Sequence, residues 1–209
     1  MNDDLKKPQL RAIQYWLVDG IGEVSVGILI LLAAVISYVQ ESAPGSLFSK
    51  ILGIASILVV CGGAFGGRWI IQRIKDHTTY PRTGYVAYKR SWNAKGDILI
   101  AIPSMVLLLS FVVFTTVTDT KLANWGPVVC GLFMGTLLVR AGYRLALPRL
   151  YILAFLGLLI GAGLVVSGLR IALSLPLFFG LSGLILLASG GVTLWKYLRQ
   201  NPIPQEETK

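Results

Sequence analysis

Histidine occurs once in this sequence, at position 77, and cysteine twice, as Cys61 and Cys130. With no second histidine, no CxxC spacing and both thiols inside apolar runs, neither a metal cluster nor a disulfide framework is indicated. A bis-histidine haem site is disfavoured on the same ground. GxSxG, HExxH, GxGxxG and GxxxxGK are all missing, so no catalytic residue, metal ligand or cofactor is assigned, and the chain is expected not to be an enzyme. Acidic residues are also few, 10 Asp and Glu against 19 Lys and Arg, for a net charge of +9. Such a balance suits nucleic acid only when the charge covers a soluble face. Here it sits between apolar runs, so a membrane surface with anionic headgroups is the expected partner and nucleic acid is not.

What the sequence does have is apolar length. Hydrophobic residues make up 55% of the 209 and charged ones 14%, with a mean hydropathy of +0.70, too apolar for an ordinary soluble domain. Six runs reach the roughly 20 residues, about 30 Å of helix, that cross a hydrocarbon core. They lie at about Asp19–Val39, Ile51–Ile71, Asp97–Val117, Gly126–Leu147, Leu150–Leu169 and Leu175–Leu194. Pro44-Gly45 turns the first hairpin, and Arg170–Ser174 is read as a very tight turn before the sixth run. The expected fold is all-α: a polytopic membrane helix bundle of six transmembrane helices arranged as three hairpins. Ahead of it, Leu10, Ile13 and Leu17 share one face of an interfacial amphipathic helix that ends near Trp16. The chain then divides into a tail and interfacial helix (1–18), a first transmembrane hairpin (19–71), a polar loop (72–96), four further helices (97–195) and a tail (196–209).

Orientation follows from the basic residues. Sixteen of the 19 Lys and Arg fall on the side holding both termini and the central loop, and three (Lys50, Lys121, Arg170) on the other. That bias places both termini and the loop in the cytoplasm, in a prokaryotic plasma membrane. The central loop interleaves Tyr80, Arg82, Tyr85, Tyr88, Lys89, Arg90 and Trp92. Basic side chains beside a bilayer gain roughly 1 kcal/mol each from anionic headgroups, and Tyr and Trp settle at headgroup depth. These seven residues are therefore the candidate lipid or partner contacts. Arg82, between Pro81 and the turning Thr83-Gly84, is also a presentable binder of phosphate or carboxylate.

Two further constellations lie within the spans. Glycines at Gly62, Gly63, Gly66, Gly67, Gly131, Gly135, Gly157, Gly161 and Gly163 have the small-residue spacing that lets helix backbones approach in lipid. Asp19 and Glu23 open the first span four residues apart, and Arg140 and Arg144 end the fourth in the same way, with Arg68 a further candidate member. Bare charge in hydrocarbon costs at least about 2.5 kcal/mol, so these five residues are expected to pair, Glu23 with Arg140 or Arg144 and Asp19 less constrained near water. The cluster reads either as a structural ion-pair network or as a cytoplasmic-side cavity on a solute or proton path.

Trp16-Leu17-Val18-Asp19-Gly20-Ile21-Gly22-Glu23 and the Thr79–Val86 stretch TYPRTGYV resemble a group of small, uncharacterised prokaryotic integral membrane proteins. That resemblance implies no assigned activity. In span number and Gly-rich hairpins alone, the chain is also similar to six-span stress-associated membrane proteins of the acid-resistance kind. The expected function is non-enzymatic, an interaction or regulatory membrane protein with a protein partner or a second copy engaged through the loop. The alternative is a small-solute or ion transporter with a charged cytoplasmic-side cavity.

Overall fold

A computed structural model describes residues 19–42, 46–48, 51–52, 71–77 and 124–202. Four long helices stand out: α1 (Ile21–Ser42), α2 (Gly126–Leu145), α3 (Pro148–Val166) and α4 (Ile171–Gln200). All four are long and apolar enough to cross a membrane. Their outward surfaces carry Val26, Ile28, Val35, Ile152, Phe155 and Leu184, each more than 45% exposed. Apolar residues on the outside as well as the inside are what a lipid environment selects.

In lipid there is no hydrophobic drive to bring helices together, so close backbone approach between small residues decides which pairs form. α1 runs antiparallel to α4 along Gly20, Gly27 and Ala34, spaced by seven and facing Gly190, Gly183 and Gly180 in turn. A Cβ on Gly27 would come within 3.0 Å of the Gly183 carbonyl oxygen. α2 and α3 form the second close pair. A Cβ on Gly161 would lie 2.6 Å from the Pro127 oxygen, one on Gly131 3.1 Å from the Gly157 oxygen, and Gly135 faces Ala154. The packing role expected of Gly131, Gly135, Gly157 and Gly161 is what the structure has. Gly163 has nothing within 4 Å. Where the two pairs meet, Leu145, Leu150, Leu153 and Leu186 form the core, with Ile30, Met134 and Leu138 against it.

The turn between α2 and α3 is very short. Ala146 takes the left-handed conformation at φ 50° and Leu147 N donates to Gly142 O at 3.1 Å, the long bond of a Schellman ending. Leu147 is extended, as the residue before a proline prefers, and Pro148 opens α3 where a missing N–H is harmless.

Three expectations change. The helix expected from Leu175 starts at Ile171 and runs 30 residues, so Ile171 to Ser174 lie inside it instead of in a turn. The N–H groups of Leu173 and Ser174 already reach Arg170 O at 2.9 Å, and Pro176 removes a single helix bond close to the start. The central segment expected to be loop from Gln72 is helical over 71–77. The expected hairpin of α3 with α4 is not the close pair among the described helices: α1 lies along α4, and α2 pairs more closely with α3 than α3 does with α4. The expected interfacial helix within 1–18, most of the expected span Ile51–Ile71, the expected span Asp97–Val117, Arg68, and Tyr80, Arg82, Tyr85, Tyr88, Lys89, Arg90 and Trp92 lie outside the described residues.

Candidate functional site

Among the described residues, one end of the bundle collects the buried charged side chains Asp19, Glu23 and Lys75. Asp19 precedes α1, and its Oδ1 accepts from Ile21 N at 3.2 Å. Between them Gly20 takes φ 75°, and its carbonyl accepts the first helical bond, from Val24 N at 3.1 Å. A side chain there would be doubly refused, by that left-handed backbone and by the Gly190 oxygen 2.5 Å from where its Cβ would stand. Asp19 Oδ2 meets Lys75 Nζ at 2.6 Å, with the two side chains 0% and 2% exposed. The 71–77 helical segment is thereby tied to the start of α1.

One turn further in, Glu23 closes a ring with α3 and α4. Its Oε1 lies 2.7 Å from Arg149 Nε, and its Oε2 accepts from Ser189 Oγ at 2.8 Å. Arg149 Nη1 donates to Thr193 Oγ1 at 3.0 Å, and Thr193 Oγ1 donates to Ser189 O at 2.8 Å. The secondary structure explains the convergence. Ser189 and Thr193 are one turn apart on a single face of α4, and Arg149 stands in the first turn of α3, brought to the depth of Glu23 by the tight Ala146-Leu147 turn. Electrostatically the two ends are unlike. Glu23 sits in the first turn of α1, where the positive helix end favours an acid. Arg149 is at the positive end of its own helix, where a cation is disfavoured unless a carboxylate answers it.

The charge ladders were thus legible as a kind but not in their pairing. Glu23 is matched by Arg149, not by Arg140 or Arg144, which are half-buried on the last turns of α2. Asp19, expected near water, is fully buried. Arg149, Lys75, Ser189 and Thr193 are functional-site members that the sequence reading missed. Their available signals were a Pro-Arg pair opening an apolar helix and two hydroxyls at i and i+4 in another. Among the described residues no group of three or more His, Cys, Asp and Glu is placed to hold a metal.

Comparison with protein-family models, curated proteins and solved structures finds no match. The reading therefore rests on the geometry. In the ring Glu23 Oε1 is ion-paired with Arg149, whose Nε makes no hydrogen bond, while Glu23 Oε2, Arg149 Nη1 and both hydroxyls have directed bonds. Such a network ties the starts of α1 and α3 to α4, because removing the Glu23 carboxylate or the Arg149 guanidinium leaves its partner's charge in a low-dielectric setting.

Proposed function

We propose that the chain is a non-enzymatic interaction or regulatory protein of a prokaryotic plasma membrane, with six spans, both termini cytoplasmic and a basic-aromatic loop presented on the cytoplasmic face. The observation that carries this reading is the division of the described bundle. Its polar ring is closed and confined to one end, while the remaining length of α1 on α4 is sealed by Gly27 against Gly183 and Ala34 against Gly180. A transporter needs a polar path that continues between its helices, whereas a glycine-packed scaffold suits a protein that displays a surface. The loop supplies that surface: Arg82, Lys89 and Arg90 for anionic groups, Tyr80, Tyr85, Tyr88 and Trp92 for the headgroup layer.

Two measurements bear on this. The full-length protein carrying Arg82→Ala, Lys89→Ala and Arg90→Ala is expected to keep its thermal stability and to lose most of the lipid or protein that co-purifies with the unsubstituted chain in mild detergent. Unchanged co-purification, or a proton or solute flux in reconstituted vesicles that Glu23→Gln abolishes, refutes the interaction reading in favour of transport. For the topology, reporter fusions after Gly45 and Thr120 should read external and one after Gly84 internal, and the reverse pattern rejects the orientation.

A further inference from the structure

An open groove of about 750 Å³ runs between α3 and α4. Its polar end is formed by Lys196 and one edge of Arg149, and its walls by Ile152 and Leu156 of α3 and Val192 and Ile185 of α4. From Lys196 back to Ile185 the helix advances roughly 16 Å at 1.5 Å per residue. That is the depth of a single leaflet, half of the roughly 30 Å hydrocarbon core. The level of the membrane surface is marked independently on the same helix. Trp195 is 59% exposed and carries the Arg199 guanidinium 5.4 Å from its ring centroid, a pairing suited to headgroup depth.

Charge and polarity are graded along this groove. Lys196 is exposed at the mouth, and among the described residues no acidic side chain lines the groove. Arg149 is answered by Glu23 from behind, so the net positive charge offered to an occupant comes from Lys196. Below it the apolar walls are open, with Ile152 62% and Val192 53% exposed. A second copy of this chain would bring its own lysine to the same mouth, which like charge opposes.

We infer that the groove holds one anionic phospholipid, its phosphate beside Lys196 and the Arg149 edge and an acyl chain lying along Ile152, Val192, Leu156 and Ile185. The inference does not depend on the function proposed above. A zwitterionic lipid places a cationic group near Lys196 and forfeits the attraction that an anionic headgroup gains there.

Native mass spectrometry of the full-length protein in neutral detergent tests this, with phosphatidylglycerol and phosphatidylcholine offered separately. Phosphatidylglycerol is expected to be retained preferentially. Lys196→Gln should lower that retention about fivefold, the equivalent of one basic contact at the surface. Arg199→Gln, a charge one turn away that does not line the groove, should leave it unchanged. Ala188→Trp, on the exposed groove floor, should remove bound lipid. Should that variant lose its helical circular dichroism, the lipid-dependent rise in the unfolding temperature of the unsubstituted protein against Lys196→Gln decides in its place. Equal retention of the two lipids, equal effects of Lys196→Gln and Arg199→Gln, or a lipid-free dimer that Ala188→Trp dissociates would each overturn the assignment.

Discussion

Lys75→Met is expected to destabilise the protein by about 3–5 kcal/mol, the cost of removing one partner from a buried ion pair. The ammonium lies 2.6 Å from Asp19 Oδ2, and neither side chain has meaningful access to water. Its loss removes the neutralising cation from a carboxylate that water does not reach. The double variant Asp19→Asn with Lys75→Met should recover much of that loss, because asparagine keeps an oxygen for Ile21 N and brings no charge to bury. Unfolding in detergent, followed by circular dichroism, measures both. If the single and double variants are equally destabilised, the coupling between Asp19 and Lys75 is not what holds the 71–77 segment in place.

Neighbouring glycines on α4 should respond oppositely to the same change. A Cβ at Gly190 would stand 2.7 Å from Val24 N and 2.9 Å from Glu23 Cβ, whereas one at Gly191 meets nothing within 4 Å. Gly190→Leu therefore has to push α1 away, opening the polar ring as well as the helix seam. Its cost should reach or exceed the upper end of the roughly 1–3 kcal/mol typical of overpacking, since backbone cannot yield as a side-chain tip can. Gly191→Leu should be neutral, or stabilising by up to about 1 kcal/mol, because it replaces the weaker helix former on an open face. Paired unfolding curves of the two variants check this, and similar losses from both would mean that the α1–α4 seam is not where the structure puts it.

The sequence made some of this legible because the relevant physics is local. Apolar length identified the four described spans to within a few residues at most ends, and the GxxxG spacing of Gly131–Gly135 and Gly157–Gly161 correctly pointed to a helix contact. The seam between α1 and α4 was less visible. Its glycines recur at seven-residue spacing, and nothing local announces that Gly20 and Gly27 meet Gly190 and Gly183 from the other end of the chain. The charged site failed in the same way. Asp19 and Glu23 were recognised as costly in lipid, but depth along a span ranks candidate partners without saying which helices are neighbours. Nothing local marks Arg149 as an inward residue, yet the Schellman turn at Ala146 carries it back into the bundle beside Glu23. Lys75 was assigned to loop because a polar, basic stretch looks solvated. Its helical setting and its burial depend on Asp19 being opposite.

Pairing the first helix with the last also constrains how the chain is made. Ser189 is 166 residues downstream of Glu23, and at a synthesis rate of about 5–20 residues per second that separation corresponds to roughly 8–33 s. Throughout that interval α1 is in existence before Ser189 and Thr193, and for most of it before Arg149. The nascent α1 has to keep Glu23 at the membrane boundary, or borrow a partner, until Arg149 and the α4 hydroxyls arrive to answer it. A ribosome that stops short of α4 thus releases a product with an unmated, acid-bearing helix, a species that membrane quality control can distinguish from the finished protein.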